Sequence, residues 1–344
     1  MFGKRNRIVY IPCEARGAKI NEYTVNMVNI LQKKYTVCGE LAEPFDIYSM
    51  VNTKAVFLNW MEEQLNAGIK LRLCLHKLFG VKIIWVFHNK YPHQAAKDDK
   101  HVMSNMKWLA DHADQIMLHS IKSEKYIPNL KKNKQKKVYI PHIMYEKKKE
   151  KACAKELRDK YRIKEGDFVF LMFGMIKPYK HYEEGINAFN RLRLNNAKLI
   201  LAGNSMDVKY TKYLEELCTG NDNIILDLRY LPSATLEALI GFSDVIVIPY
   251  KNDTSMNSGV MIQAFSNGKT VIVPDICMGR DFAAKGFIYG YRKSLRNAMH
   301  KAYKNGRQIN EKMGGQAYEY VSRYHNEAVV RKQLYRMLDR HKSL

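Results

Sequence analysis

Residues Phe168–Gly174 read FVFLMFG, a continuous apolar run that ends on a glycine. Such a run predicts a strand that is buried on both faces, because a half-exposed strand would alternate apolar and polar residues. Further runs of this kind follow along the chain, separated by amphipathic segments, at Ala197–Gly203, Asn223–Leu226, Val245–Pro249 and Thr270–Pro274. Strands that alternate with helices in this way predict a doubly wound, parallel α/β sheet.

The same alternation precedes Phe168. The predicted strands of the first half are Arg7–Pro12, Tyr35–Gly39, Ala55–Trp60, Lys82–His88, Gln115–His119 and Lys137–Pro141. Two such sets in 344 residues predict two Rossmann-like domains, which we place at 1–148 and 149–317. The join falls in the charged segment Tyr145–Lys155. Ligands of such sheets bind beyond the carboxyl ends of the strands, so a cleft between two facing domains is the expected site.

The chain is strongly basic, with a formal charge of +23. Positions 1–165 hold 32 Lys and Arg against 17 Asp and Glu, whereas positions 166–344 hold 25 against 17. Such a field attracts nucleic acid, an anionic membrane or phosphorylated small molecules, although a solvated surface would also explain it. The basic run Lys131–Lys137 lacks interleaved aromatic residues and matches no nucleic-acid module, so we expect no nucleic acid as a partner. Because the stretch Ile69–Phe79 is amphipathic, an anionic membrane surface remains open as a partner of the chain.

Cysteine usage and hydropathy indicate the compartment. The six cysteines are scattered without a CxxC pair, which argues against a disulfide framework or a zinc ribbon and fits the reducing cytosol. No apolar run approaches the ~20 residues of a spanning helix, and Ile8–Pro12 is too short for the core of a secretory signal. We expect a cytoplasmic protein and leave peripheral contact with the inner membrane face open.

Several chemistries lack their signatures. No histidine pair at helical spacing is accompanied by a carboxylate, and Asp98–Asp99 is not a D-x-D motif. We therefore predict no metal site. The absence of a P-loop and of G-x-G-x-x-G argues against kinase and dehydrogenase chemistry.

The segment FGMIKPYK, Phe173–Lys180, is the sharpest chemical feature. Gly174 ends the predicted strand, and Lys177 and Lys180 stand just before a predicted helix. A glycine turn, two ammonium groups and a helix N-terminus together suit a diphosphate. A pair of ordinary surface lysines near a helix start is the alternative.

A second helix start lies in Tyr250–Lys269. A polar loop follows a predicted strand, and Ser258–Gly259 then open a helix. The free backbone N–H groups of its first turn, with the Ser258 hydroxyl, again suit an anion. The alternative is that Ser258 serves only as an N-cap.

Taken together, these motifs resemble the donor-binding domain of glycosyltransferase family 4, a retaining family of GT-B architecture. The segments that carry the resemblance are FGMIKPYKHYEEGINAF, LILAGN, FSDVIVIPY and QAFSNGKTVIVPD, within Phe168–Asp275. Each is weak alone, but the set is specific. The resemblance implies an α/β fold of two Rossmann-like domains facing a cleft. It also implies that the last helices, from about residue 318 to 344, cross back onto the first domain.

The resemblance also assigns donor-binding roles. Lys180 falls on the family's diphosphate-binding lysine, Met175 falls where the family has an arginine, and Lys177 lies two residues later. The family's two glutamates, eight positions apart, fall on Ser255 and Gln263, which carry no charge. We interpret these departures as variation within a bacterial polysaccharide- or glycolipid-type branch. The implied donor-binding residues are Gly174, Asn204, Ser255, Asn257, Ser258, Gly259 and Gln263.

The first half resembles the same branch at Trp85–His93, WVFHNKYPH, and at Leu58–Glu63, LNWMEE. His88 ends a predicted strand, and the resemblance implies that it contacts the donor sugar. With Lys180 and Lys177 it makes up the implied catalytic set, although a purely structural histidine is the alternative. The implied acceptor-side residues are Arg16, Gly17, Asn59, Glu62 and Asn89.

These features predict a glycosyltransferase that moves a sugar from a nucleoside-diphosphate sugar to a glycan or lipid-linked acceptor. The resemblance implies retention of configuration, a place in polysaccharide or glycoconjugate biosynthesis, and no metal or other cofactor. Because the glutamate pair is missing, a non-catalytic sugar-nucleotide-binding partner protein is one alternative. A sugar-nucleotide epimerase is a weaker one, and a nucleic-acid binder would rest on charge alone.

Overall fold

A computed structural model describes residues 5–13, 21–90, 99–146, 154–250 and 256–340. The chain divides into two compact units. Unit 1 comprises Met1–Ile143 together with His325–Leu344, and unit 2 comprises Met144–Tyr324. The divisions therefore fall after residues 143 and 324, against 148 and 317 expected from the sequence.

Unit 1 is built on a six-stranded sheet in which every neighbouring pair is parallel. Its strands are β1 (Arg7–Ile11), β2 (Thr36–Cys38), β3 (Thr53–Asn59), β4 (Lys82–Val86), β5 (Gln115–Leu118) and β6 (Lys137–Tyr139). Its helices before the division are α1 (Glu22–Gln32), α2 (Ile47–Asn52), α3 (Ala67–Leu78), α4 (Lys100–His112) and α5 (Leu130–Asn133). The strand order is β2-β1-β3-β4-β5-β6, so the winding reverses between β1 and β3.

Unit 2 has its own six-stranded, all-parallel sheet. The strands are β7 (Phe168–Phe173), β8 (Ala197–Ala202), β9 (Ile224–Asp227), β10 (Val245–Val247), β11 (Val271–Pro274) and β12 (Ile288–Tyr291). The helices are α6 (Ala154–Lys160), α7 (Tyr182–Asn190), α8 (Val208–Cys218), α9 (Ser233–Phe242), α10 (Gly259–Ser266), α11 (Cys277–Ala283) and α12 (Leu295–Tyr324). Gly306, with φ 72°, breaks the regular geometry of α12. The order β12-β11-β10-β7-β8-β9 reverses between β7 and β10.

The central strand β7 shows why the apolar runs fold as they do. All six of its residues are buried. Val169, Leu171 and Phe173 pack into the core on one face of the sheet, and Phe168, Phe170 and Met172 pack into the core on the other. A strand covered on both faces has no solvent side, which accounts for the unbroken run FVFLMF.

The last helix, α13 (Glu327–Asp339), packs on unit 1. Val330, Leu334 and Met337 join the core of that unit, and Lys33 Nζ pairs with Glu327 at 2.6 Å. In the described parts of the chain, no helix has both the length and the apolar character needed to span a bilayer. The two doubly wound parallel sheets confirm the predicted fold class.

Candidate functional site

The loop after β7 lies at the switch point of unit 2, where the sheet changes its direction of winding. Gly174 ends the strand with φ +110°, a conformation that residues with a Cβ rarely adopt. The Gly174 N–H then donates to the Ala202 carbonyl, and the Ile176 N–H donates to that of Asn204. A 3₁₀ turn at Pro178–Lys180 leads into α7. The loop is therefore tied along its length to the end of the neighbouring strand β8.

Gly203 makes that close approach possible. A Cβ at this position would lie only 1.9 Å from the Gly174 carbonyl oxygen, and the φ of Gly203 is +146°. No side chain fits either the space or the backbone conformation. The glycine of the segment LILAGN is thus required by the packing of two backbones at the site.

Lys180 is the buried cation of this loop, with 8% of the residue exposed. Its Nζ lies 5.8 Å from the ring centroid of Tyr250 and 6.0 Å from that of Tyr182. Burial, and next the charge of Lys177, lower the pKa of Lys180 to about 8. In the described part of the chain, no carboxylate offsets this shift. The ammonium is therefore charged at neutral pH, yet it is poorly solvated and suited to receive an anion.

The start of α10 lies beside the same ammonium. Ser258 caps the helix, because its Oγ accepts a hydrogen bond from the Met261 N–H at 3.2 Å. A Cβ built on Gly174 would lie 3.4 Å from Lys180 Nζ and also 3.4 Å from Val260 Cγ2 in the first turn of α10. The positive end of the helix and the ammonium thus flank one point.

Other predicted donor-binding residues surround this point. Gln263 is half-buried and lies one turn beyond Gly259, on the same face of α10. Asn257 immediately precedes the cap, and Asn204 follows Gly203 in the adjoining loop, both partly buried. Ser255 lies outside the described residues. The Gln263 amide therefore lies on the same side of α10 as Gly259, the first residue of that helix.

Positive charge near Lys180 does not depend on the missing arginine. Met175, at the arginine position of the family, is half-exposed. Lys177 is partly buried and close enough to lower the pKa of Lys180. The structure thus brings a second ammonium group to the loop.

Two tyrosines complete the surroundings of Lys180, and sequence reasoning missed both. The Tyr182 hydroxyl donates to the Phe173 carbonyl at 3.2 Å, and Tyr250 hydrogen-bonds with Ser258. Burial raises the pKa of each phenol well above its usual range, so both stay neutral. Their rings desolvate the ammonium. The position of each tyrosine was the available signal. Tyr250 directly follows a predicted strand, and Tyr182 lies two residues after Lys180.

In unit 1, His88 lies just beyond β4 in a group of aromatic rings. Trp60 stacks on it with ring centroids 4.2 Å apart, and Tyr23 meets it edge-on at 5.1 Å. His88 Nε2 lies 3.1 Å from Asn59 Oδ1. Because Asn59 Nδ2 donates to the Ile11 carbonyl at 3.1 Å, its Oδ1 is the acceptor, and His88 Nε2 must carry a proton. Asn59 therefore sets the protonation of that nitrogen.

The predicted acceptor-side residues have different positions. Asn59 and Glu62 are buried, and Glu62 Oε1 accepts a hydrogen bond from Trp85 Nε1 at 3.0 Å. Burial raises the pKa of the Glu62 carboxyl. Neither side chain offers surface to an acceptor, so their contribution here is to hold neighbouring groups in place. Asn89 is partly buried beside His88, while Arg16 and Gly17 lie outside the described residues.

Histidines follow three successive strands of unit 1, at His88, His119 and His142. His119 Nδ1 donates to the Ile140 carbonyl at 2.8 Å, so its Nε2 accepts from the Tyr23 hydroxyl at 2.8 Å. Burial lowers the pKa of His119 to about 4 and that of His142 to about 3. These rings are therefore neutral at physiological pH. Sequence reasoning singled out His88 but not His119 or His142, although a histidine after each strand was visible.

Among the parts of the chain that the structure describes, no group of three His, Cys, Asp or Glu side chains is arranged to hold a metal ion. The described cysteines, which are Cys13, Cys38, Cys74, Cys218 and Cys277, are thiols that form no disulfide with one another.

Comparison with known sequences points to one family for unit 2. Residues 154–320, just under half of the chain, match the family of glycosyl transferases group 1. Over 104 residues the chain is 27% identical to the GDP-mannose:glycolipid 4-beta-D-mannosyltransferase of Xanthomonas campestris pv. campestris. That stretch covers 30% of this chain and only 29% of the curated relative.

Solved structures of similar fold match nearly the whole length of the chain. HepE from Anabaena, crystallised in complex with UDP, superposes with a TM-score of 0.75 at 11% identity, over 96% of this chain and 99% of its own. Sucrose-phosphate synthase from Thermosynechococcus elongatus gives 0.71 at 14% identity, over 97% and 99%. At these identities the likeness establishes the fold, that of the GT-B glycosyltransferases.

Proposed function

We propose that this chain is a glycosyltransferase that moves a sugar from a nucleoside-diphosphate sugar to a glycan or lipid-linked acceptor, as in polysaccharide or glycoconjugate biosynthesis. The observation that carries the proposal is the buried Lys180 ammonium beside Gly174 and the start of α10. The match of residues 154–320 to group 1 glycosyltransferases supports it, because that segment contains all three features.

The diphosphate would bind at the switch point of unit 2. Gly174 has no side chain, so a phosphate oxygen can approach the backbone where the Lys180 ammonium and the first turn of α10 meet. Lys177 adds a second positive charge nearby. Gln263, on the same face of α10, has an amide that both donates and accepts hydrogen bonds, as the hydroxyls of a ribose require.

The same groups would promote the chemical step. When the bond between the sugar and the diphosphate breaks, negative charge grows on the departing phosphate oxygen. Lys180 and the α10 N–H groups stabilise that charge more in the transition state than in the bound donor, which lowers the barrier. In our proposal the departing phosphate accepts the acceptor's proton, the configuration is retained, and His88 orients the transferred sugar through hydrogen bonding.

One observation favours a second candidate, a non-catalytic sugar-nucleotide-binding protein. Gln263 has an uncharged amide at a position where the family carries a glutamate. A protein that binds the donor without transferring the sugar would keep Lys180 and the helix start but would not need that carboxylate.

A donor panel separates these possibilities. Wild-type protein, Lys180→Met and the exposed-lysine control Lys209→Met would be heated with UDP-glucose, GDP-mannose, ADP-glucose and dTDP-glucose. A donor at about 100 times its Kd stabilises the fold by about 2.7 kcal/mol. We expect at least one donor to stabilise the wild type and the control but not Lys180→Met, and to be consumed with release of its nucleoside diphosphate.

Two other results would favour the second candidate or refute the diphosphate site. Stabilisation without any release of nucleoside diphosphate, with or without added acceptor glycans, would favour the binding protein. A Lys180→Met variant that responds to donors as the wild type does would refute the diphosphate site.

A further inference from the structure

Helix α3 of unit 1 exposes an apolar face. Leu71 and Leu78 are exposed by 58% and 81%, and the thiol-bearing Cys74 between them is exposed as well. Spacings of three and four residues place these side chains in one row along the helix. The outer face of a helix in an α/β domain is normally polar. On α3 the inward positions include Leu73 and His76, and the outward row is made of two leucines and a cysteine.

A pair of exposed aromatic side chains belongs to the segment that Arg72 of α3 holds. Phe45 just before α2 and Tyr48 in its first turn are exposed by 94% and 81%. Arg72 of α3 ties their segment to the helix, because its Nε donates to the Ala42 carbonyl at 3.1 Å and its guanidinium pairs with Glu43 at 3.0 Å. The aromatic pair and the leucine row therefore belong to one side of unit 1.

Positive charge borders the apolar surface. Helix α3 carries Lys70, Arg72 and Lys77 and has no carboxylate. Helix α4 lies alongside, since Lys70 Nζ is 5.7 Å from the Trp108 ring centroid and Lys77 Nζ donates to the His112 carbonyl at 2.6 Å. The lysines of α3 thus stand between the leucine row and the next helix.

The basic band continues past α4. Lys136 Nζ donates to the Asp111 carbonyl at 2.7 Å, and Lys132 pairs with the Asp111 carboxylate at 3.3 Å. Lys131 and Lys134 are exposed on the same segment. Asp111 and Asp114 are each paired with a lysine, since Lys77 of α3 pairs with Asp114 at 3.4 Å. The exposed Lys131 and Lys134 are additional to these pairs and leave an excess of positive charge beside α3.

We propose that this surface, defined by Phe45, Tyr48, Leu71, Cys74 and Leu78 with the lysines beside them, docks unit 1 on an anionic lipid bilayer. Nucleic acid would complement the lysines but not the leucines, and an uncharged apolar partner would complement only the leucines. The surface of an anionic bilayer offers both headgroup charge and acyl chains. The two attractions act together, as reversible membrane binding requires.

Vesicle binding tests the proposal on the full chain. The protein would be sedimented with vesicles of phosphatidylcholine alone and with vesicles containing one third phosphatidylglycerol. The test variant is Leu71→Gln with Leu78→Gln. The matched control is Met206→Gln with Val208→Gln, because those two apolar residues of unit 2 are exposed by 80% and 82%. All four positions are exposed, so none of the substitutions opens a cavity in a core.

We expect the wild type and the control to bind the anionic vesicles, to bind neutral vesicles weakly, and to lose binding as salt screens the lysines. The Leu71 and Leu78 double variant should bind at least about 10-fold more weakly, because two apolar side chains no longer enter the bilayer. Its thermal stabilisation by a nucleotide sugar should be unchanged, which keeps this test separate from that of the donor site.

Three results would overturn the proposal. The double variant could bind anionic vesicles as tightly as the wild type, or the wild type could bind neutral and anionic vesicles equally. Light scattering could also show a wild-type dimer that the double variant converts to monomer. That last result would mean that a second copy of the chain covers the leucine row.

Discussion

The two units share a fold, yet the switch points of their sheets differ in chemistry. Among the described residues of unit 1, that region holds polar groups that hydrogen-bond to one another, with the Tyr10 hydroxyl 3.4 Å and His88 Nε2 3.1 Å from Asn59 Oδ1. In unit 2 it holds Lys180, a buried ammonium with no carboxylate among the groups that shift its pKa in the described part of the chain. The fold therefore provides an equivalent switch point in each unit. The uncompensated charge of Lys180 makes the switch point of unit 2 the candidate anion site.

This difference has opposite consequences for the response to pH. Burial keeps His119 and His142 neutral, so unit 1 should be sensitive to acid. Burial also lowers the pKa of Lys180, so anion binding by unit 2 should be sensitive to alkali. The two units can thus be tested from opposite ends of the pH range.

The largest expected effect is acid destabilisation of unit 1. As pH falls from about 6.5 to about 4.5, the unfolded chain protonates His119 and His142 while the folded unit does not, so stability should fall by about 5 kcal/mol for the pair. Trp60, Trp85 and Trp108, the three tryptophans of the chain, all lie in unit 1. Urea unfolding followed by tryptophan fluorescence therefore reports on this unit.

The matched variant for that experiment is His119→Gln. Glutamine cannot take up the proton, so the fall in stability between the two pH values should be roughly halved. An unchanged pH dependence in His119→Gln would show that other groups control the acid response.

Next in size is the effect of Lys180→Met on sugar transfer. Methionine keeps the length and apolar body of the side chain but removes the charge that faces the departing diphosphate. We expect kcat/KM for the donor to fall about 100- to 1000-fold. The free protein should at the same time become more stable, by up to about 3 kcal/mol, because a buried ammonium is removed.

A fall in transfer activity together with a rise in stability would distinguish a diphosphate-binding role of Lys180 from a structural one. Denaturant unfolding without ligand measures the stability, and release of nucleoside diphosphate measures the transfer. A variant that lost activity and stability together would indicate a structural role for Lys180 instead.

The backbone of the donor site should tolerate little change at Gly203. In Gly203→Ala the new Cβ would meet the Gly174 carbonyl oxygen, so we expect a loss of about 3 kcal/mol in the stability of unit 2. Gly220, with φ +80° and no atom within 4 Å of its Cβ position, is the control. Gly220→Ala should lose only about 1 kcal/mol, from backbone strain alone. Equal losses in thermal unfolding followed by circular dichroism would contradict the close-approach account.

The smallest expected effect is that of Lys177→Gln. Removing this charge relieves its repulsion of the Lys180 ammonium, so the pKa of Lys180 should rise. Donor binding should then weaken a few-fold at neutral pH but persist to higher pH than in the wild type. A pH profile of donor affinity checks this, and a profile that moved to lower pH would be inconsistent with the proposed proximity.

The fold was largely predictable from the sequence because parallel strands buried on both faces appear as unbroken apolar runs. FVFLMF became β7 for that reason. The prediction missed β12, Ile288–Tyr291, whose Gly290 and partly exposed edge position give it neither an unbroken run nor a strict alternation. It also placed the first division at residue 148 rather than 143 and the second at 317 rather than 324, because neither a charge run such as KKKEK nor a helical pattern has a necessary relation to where packing contacts end.

The candidate site was predictable only in part. The sequence identified Gly174, Lys180 and the start of α10, since glycine turns and helix starts have local signatures. It missed Tyr182 and Tyr250. Tyr250 follows β10 and comes near Lys180 because β10 lies beside β7, whereas Tyr182 is only two residues from Lys180 and its contact is local. The burial that lowers the pKa of Lys180 is likewise a property of three-dimensional packing.

Calorimetric titration of UDP-glucose and GDP-mannose at about pH 7 and about pH 9, in buffers of different ionisation enthalpy, tests the central claim most directly. The claim is that Lys180 receives the diphosphate. Above its lowered pKa the free ammonium is largely deprotonated, and a bound dianion would restore its charge. We predict that binding of the active donor takes up close to one proton at the higher pH and almost none at neutral pH, and that Lys180→Met shows no such uptake. Binding at the higher pH without proton uptake, or with the same uptake in Lys180→Met, would contradict the claim.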